Sequence, residues 1–179
     1  LIACLEQTAP QARTPDIWLV FAPVKKTPAD YLVQKATELG VSVLQPVFTR
    51  RTIVTRVNEE RLRANAVEAA EQSERLSVPK IRAPLTLDKL LAHWPQERRL
   101  FFCDEGGEAK PLSEAARAAP EGPCAILTGP EGGFYAGERE ALRALSFVTP
   151  VTLGPRILRA DTAALAALAI WQSVAGDWA

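Results

Sequence analysis

Short apolar runs alternate along the chain with stretches where apolar residues recur every third or fourth position, and this alternation predicts most of the elements. Ile17-Trp18-Leu19-Val20-Phe21 is unbroken, as in a buried strand. A helix follows: Thr27 offers an N-cap, Pro28 suits the first helical position, Asp30 favours the positive end, and Gly40 can close the far end in a left-handed conformation. Leu32, Ala36 and Leu39 form its buried stripe. Residues 41–48 are β-rich but include Pro46, so this strand must bend or leave the proline where no amide is needed. Asn58, with Glu59 and Glu60 behind it, starts a second helix whose stripe is Leu62, Ala66, Ala69 and Leu76, stopping at Pro79. Beyond it the pattern predicts helices over 86–93, 112–119, 137–145 and 161–174, and strands over 99–103, 124–128 and 151–153.

Strands alternating with helices predict an α/β domain with a mainly parallel sheet flanked by helices, because parallel neighbours need a crossover and the helix supplies it. At 179 residues the chain has room for one such domain and its core. Hydrophobic residues are 47% and charged residues 23%, a globular composition rather than a disordered or fibrous one. The longest unbroken apolar run, residues 163–171, is far short of the ~20 that cross a bilayer. No charged-then-apolar leader opens the sequence, so neither a membrane span nor a secretory signal is expected. Residues 7–15, with two prolines and no periodicity, read as a linker, and residues 1–6 as the tail of an earlier element. The absence of methionine, an initiator included, leads us to expect a fragment or a partly ordered chain.

Cys4, Cys103 and Cys124 are odd in number and far apart, which gives neither a disulfide framework nor a CxxC pair and suits a reducing cytoplasm. His93 is the only histidine, so a zinc site with several His ligands is excluded, no metal is expected, and any His-dependent nucleophilic mechanism would rest on a residue expected at a surface helix end. The zero net charge is unevenly divided: residues 1–100 hold 15 Lys/Arg against 11 Asp/Glu, and residues 101–179 hold 6 against 10. A nucleic acid would meet the first part more favourably. Lys25, Lys26, Arg50, Arg51, Arg56, Arg61 and Arg63 are the candidate phosphate contacts there.

Two glycine-bearing segments sit where a strand ends and a helix is about to begin, the edge at which open α/β sheets bind ligands. The first is Leu127-Thr128-Gly129-Pro130-Glu131-Gly132-Gly133-Phe134. It fits neither GxxxxGK[ST] nor GxGxxG, so a P-loop and a dinucleotide fingerprint are poor readings; a tight turn remains a plain alternative. The second is Leu153-Gly154-Pro155-Arg156-Ile157-Leu158-Arg159-Ala160-Asp161-Thr162-Ala163, in which Asp161 or Thr162 can cap the following helix. Its two arginines suit phosphates or a developing anion, or are solvated surface charges. The helix beyond is apolar all round, which leaves a deep core and a subunit interface both open.

Together these segments, with Gln34-Lys35-Ala36-Thr37-Glu38-Leu39-Gly40-Val41 and Ala69-Ala70-Glu71-Gln72-Ser73 upstream, resemble in order and spacing the signatures of the RsmE family. Its members methylate N3 of a uridine in 16S ribosomal RNA. The resemblance implies a SPOUT-type catalytic domain over residues 16–179, tied in a deep C-terminal trefoil knot, cytoplasmic and working as a homodimer on the small ribosomal subunit, with uridine 1498 as target. Residues 1–15 would then be the remnant of an N-terminal PUA-like RNA-binding domain plus linker. It implies S-adenosylmethionine as cofactor, held by Leu127, Gly129, Pro130, Glu131, Gly132 and Gly133 in one loop and Leu153, Gly154, Ile157, Leu158 and Thr162 in the other. Arg159 is the first candidate to orient the uracil and stabilise its developing negative charge, Arg156 the second, and Glu131 a candidate base. Glu38, Glu71 and Gln72 match family signatures with a structural role open to them. The competing readings are a non-catalytic RNA-binding or dimerisation module of the same fold, and a phosphate-binding hydrolase that lacks a convincing nucleophile and base.

Overall fold

The computed structural model describes residues 3–8, 10–11, 14–105 and 108–179, without the side chains of Lys26 and Thr27. In chain order the elements are β1 (Ile17–Phe21), α1 (Lys26–Glu38), β2 (Val43–Phe48), α2 (Glu59–Gln72), β3 (Lys80–Ile81), β4 (Leu85–Thr86) and α3 (Leu87–Ala92). They continue as β5 (Arg99–Cys103), β6 (Lys110–Pro111), α4 (Leu112–Ala118), β7 (Cys124–Thr128), α5 (Ala136–Arg143), β8 (Val148–Thr152) and α6 (Ala160–Ala175). The described strand pairings are all parallel, in the order β3-β2-β1-β7-β5-β8-β6, with β4 also on β2. This is the α/β arrangement expected from the alternating runs.

Period-two alternation sorts the side chains of the central strands between two cores. Ile17, Leu19 and Phe21 of β1, Ile126 of β7 and Phe101 of β5 join one core, covered by residues such as Leu32, Leu62, Leu112 and Leu168 from α1, α2, α4 and α6. Val20, Leu127, Leu100 and Phe102 join the other, with Leu87 of α3, Leu142 of α5 and the aromatic rings of Trp94 and Phe134. Each fully buried Leu, Ile or Phe contributes roughly 1.5–3 kcal/mol by leaving water. Burial on both faces is why these strands read as unbroken apolar runs.

Pro46 sits where the outer ladder of β2 is interrupted. β3 pairs with Val43 and Leu44, β4 pairs with Val47 and Phe48, and Gln45-Pro46 lies between them. The proline leaves no ladder bond unmade on that side. The buried Gln45 amide fills the gap, donating to the carbonyls of Pro46 (2.9 Å) and Ala83 (3.0 Å).

Several element ends differ from expectation. Lys25, not Thr27, is the N-cap of α1, so Pro28 lies further inside the first turn, where a missing N–H still costs nothing; the Thr27 side chain is outside the described residues. Gly40 closes the helix at φ 84°, as expected. α2 ends at Gln72 because Ser73 caps it and Glu74 turns left-handed at φ 57°, which leaves Leu76 exposed instead of completing the stripe. Arg75 then donates to the carbonyls of Thr37 and Val41, tying this segment to the end of α1. Neither Asp161 nor Thr162 caps α6: Arg159 holds that position, and the Asp161 carboxylate accepts from the Thr162 amide at 2.8 Å. β8 starts at Val148, earlier than expected, because it pairs with β5 from there; β6 joins it only from Val151, leaving Pro150 paired on one side. Leu1 and Ile2 lie outside the described residues, and residues 3–8 carry no helix or strand.

α6 packs on α1, α4 and β7 through Ala164, Ala167, Leu168 and Trp171, while Leu165, Ala166 and Ala169 stay half-buried. The buried Gln172 fastens it: its Nε2 donates to the Leu39 carbonyl (2.7 Å) and its Oε1 accepts from the Asp177 amide (3.1 Å). The order of strands then positions the site. β7 enters between β1 and β5, and β8 between β5 and β6, each into a gap flanked by strands that precede it in the chain. The segments leaving them therefore emerge in the middle of the sheet's carboxyl edge.

Candidate functional site

Both glycine-bearing segments leave the sheet at this edge, and the segment after β5 joins them. All three line one cleft. Cys103, Asp104 and Glu105 come from the end of β5, Gly129, Pro130, Glu131, Gly133 and Phe134 from the loop after β7, and residues 151–158 from the end of β8, with Ala160 and Ala163 of α6 behind them. Its volume is about 110 Å³ and it opens to solvent, so a nucleoside-sized ligand would be seated at the base and gripped by the loops above.

A close approach explains Gly129. A Cβ there would lie 2.6 Å from Cε2 of Phe134, whose ring folds back over the loop and meets Phe102 edge-on, with centroids 4.9 Å apart. Gly133, at φ 66°, donates to the Pro130 carbonyl (2.9 Å) and lets the Glu105 carboxylate rest against its backbone. The segment after β2 braces the same loop. Arg51 donates to the Gly132 carbonyl (2.8 Å), and Glu138 accepts from the backbone amides of Arg50 (2.8 Å) and Tyr135 (3.0 Å). The Arg50 guanidinium lies 5.2 Å from the Tyr135 ring centroid.

The Asp104 carboxylate is 1% exposed and is compensated by two arginines of α5, accepting from Nε of Arg139 (2.9 Å) and Nε of Arg143 (2.8 Å). α5 is thereby fixed to the end of β5. Arg156 and Arg159 are different: both are exposed, and among the described residues neither has an ion-pair partner.

Of the residues picked from the sequence, Gly129, Pro130, Glu131, Gly133, Leu153, Gly154, Arg156, Ile157 and Leu158 share the cleft. Leu127 does not, because the strand's alternation turns its side chain into the second core. Gly132 faces Arg51, Thr162 is exposed on the first turn of α6, and Arg159 stands at the N-cap of α6 outside the cleft wall. Lys25 and Arg56 are exposed beside neighbouring grooves, and the Lys26 side chain lies outside the described residues. Asp104, Glu105, Phe134 and Glu138 escaped sequence reasoning. The segment after β5 carries no motif, and Asp104 acts through partners 35 and 39 positions away.

Burial pushes the Cys103 thiol up to about 12 and also raises that of Cys124. Neither is a nucleophile at neutral pH. Iodoacetamide is therefore expected to label exposed Cys4 and to spare the other two in the folded chain, read by mass spectrometry; rapid labelling of Cys103 would contradict the shift. A thiol whose pKa is raised by folding stabilises fully below its unfolded pKa of ~8.5, and that contribution is lost as pH rises from there through the folded value. Among the described residues no group of three or more His, Cys, Asp or Glu could hold a metal ion, and no helix is long and apolar enough to cross a membrane.

Comparison with known proteins agrees with this geometry. Residues 11–172 match the RNA methyltransferase domain family. The ribosomal RNA small subunit methyltransferase E of Rickettsia conorii is 33% identical over 151 residues, covering 84% of this chain and 62% of the relative. That of Synechocystis is 35% identical over 170 residues, covering 92% and 56%. The chain thus spans less than two thirds of the length of these relatives. The crystal structure of a ribosomal RNA small subunit methyltransferase E from Neisseria gonorrhoeae bound to S-adenosyl methionine superposes with a TM-score of 0.82 at 32% identity, over 92% of this chain and 69% of that one. A cleft of glycine-rich loops at the carboxyl edge of a parallel sheet, with these relatives, makes the chain a member of the ribosomal RNA small subunit methyltransferase E family.

Proposed function

We propose that the chain is the catalytic part of an enzyme that transfers a methyl group from S-adenosylmethionine to N3 of a uridine in 16S ribosomal RNA, uridine 1498 by family resemblance. The observation that carries this reading is the single cleft built by the loops after β5, β7 and β8, with Arg156 in its wall and Arg159 at the nearby start of α6, neither of which has an ion-pair partner among the described residues. The residues fit the cofactor. Glycine backbone at 129 and 133 permits close approach, Leu153, Leu158 and Ala163 offer an apolar seat for adenine, and the carboxylates of Glu105 and Glu131 suit hydroxyl and cationic groups. The sulfonium of S-adenosylmethionine supplies an already activated methyl group, so the protein's task is alignment.

Arg159, with Arg156 beside it, orients the uracil and stabilises the negative charge that develops as N3 loses its proton. Glu131, exposed in the cleft wall, is the candidate base. Lys25, Lys26, Arg50, Arg51 and Arg56 contact phosphates of the RNA. Residues 1–15 are the end of a PUA-like domain plus linker, and 16–179 the SPOUT domain. The insertion of β7 and β8 between earlier strands supports a knotted C-terminal part, and the half-buried apolar face of α6 supports a homodimer. A ribosomal substrate puts the enzyme in the cytoplasm.

Calorimetric titration of the chain with S-adenosylmethionine is expected to give micromolar binding. Ribosomal RNA from a strain lacking the gene is expected to miss one uridine base methyl, which returns on complementation. Absent cofactor binding would favour the non-catalytic RNA-binding or dimerisation module.

A further inference from the structure

A second cavity, of about 290 Å³, opens beyond the ends of β1 and β2 on the same edge of the sheet. Val24, Val54, Val57 and Leu62 line it with apolar surface, and Asp30, Arg56 and Arg61 supply its polar groups. A shallow saddle connects it to the cleft. The saddle shares Val24 and Val54 with this cavity and Pro130 and Glu131 with the cleft, and it carries Lys25 and Arg51. The two cavities are ends of one trough.

We propose that this second cavity seats an unpaired base of the RNA strand next to the target uridine; the proposal rests on the methyltransferase reading above and extends it. N3 lies on the pairing edge of uracil, so the target must leave its stack to be methylated, and its neighbour then loses a stacking partner. The cavity supplies a replacement. Arg61 is held against the Asp30 carboxylate through Nε (2.7 Å) and Nη2, and Asn65 Nδ2 donates to the same carboxylate at 2.8 Å. This pairing presents a planar cation, the kind of surface on which single-stranded bases stack, and its rigidity lowers the entropy lost on binding. Along the trough Lys25, Arg51 and Arg56 provide positive charge for the connecting phosphates. A free anion would make no use of the valine walls, and a purely apolar ligand none of the cationic rim. A nucleotide uses both.

The test is NMR titration of the methyl-labelled chain, loaded with S-adenosylmethionine, with short single-stranded RNAs centred on one uridine. Each RNA is either intact or abasic at one flanking position. The intact RNA is expected to shift the methyl signals of Val24, Val54, Val57 and Leu62, and the abasic version at one flanking position to bind about tenfold more weakly, the worth of one stacked base. In Arg61→Met the intact RNA is expected to bind about tenfold more weakly while the same abasic substitution has little further effect, because the base has already lost its platform. Equal weakening of intact and abasic RNAs by Arg61→Met would reduce Arg61 to general charge and overturn the proposal. So would RNA-induced shifts confined to the first cleft. Failure of the unmodified chain to bind S-adenosylmethionine would instead overturn the methyltransferase reading on which the proposal stands.

Discussion

Gly129→Ala is expected to weaken S-adenosylmethionine binding about tenfold and to lower the melting temperature by several degrees, through about 1–3 kcal/mol of overpacking. The new Cβ would stand 2.6 Å and 2.9 Å from two carbons of the Phe134 ring. That ring has little freedom to retreat, since it is buried in the second core and meets Phe102 at an interplanar angle of 89°. Either the backbone of the loop moves away from the ring, or the ring tilts out and loosens the core. Both outcomes displace the wall of the cleft, because Gly129 and Phe134 line it. Isothermal titration with thermal denaturation measures the two effects together. Combining Gly129→Ala with Phe134→Leu removes the obstructing ring and is expected to restore part of the cofactor affinity at some cost in core packing. A double variant that stays folded yet binds no better than Gly129→Ala would refute the steric explanation.

The strands were legible in the sequence because β1, β5 and β7 are covered on both sides, and burial on two faces forces a continuous apolar run that no helix stripe imitates over five residues. β3, β4 and β6 were not, since each has two residues and owes its existence to the neighbour it pairs with. The same limit applies to the site. Each glycine-bearing segment announces a turn by its own composition, but the cleft exists because β7 and β8 enter on either side of β5, and strand order is written in long-range packing. Asp104 and Glu105 belong to the cleft for that reason and carry no local mark. Leu127 shows the reverse limit: the motif reaches two residues into β7, where alternation sends the side chain of 127 into the core, while 128 reaches the cleft floor. Arg61 looked like any other basic residue because its partner Asp30 lies 31 positions away.

Arg159→Ala is expected to lower methyl-transfer turnover by about 10²–10³-fold, the usual effect of removing one preorganised donor to a developing oxyanion. Arg159 suits that role because its backbone is fixed at the start of a long helix, its carbonyl accepting from the Ala163 amide at 2.8 Å. Arg156 lies in the cleft wall between Gly154, at φ 111°, and Ile157, which is 83% exposed, so its backbone has fewer restraints. It is better placed to grip the acceptor than to meet charge at a fixed point, and Arg156→Ala should act more through KM. Neither change is expected to weaken cofactor binding, because a guanidinium beside a sulfonium repels it. The pH profile separates chemistry from mere positioning. If Arg159 stabilises the uracil anion, turnover of Arg159→Ala should recover progressively as alkaline pH deprotonates N3 without help. Arg159→Lys should restore only part of the rate, since lysine keeps the charge and loses the planar fork. Unchanged turnover in Arg159→Ala, with cofactor still bound, would remove Arg159 from the mechanism and leave Arg156 as the remaining candidate beside the acceptor.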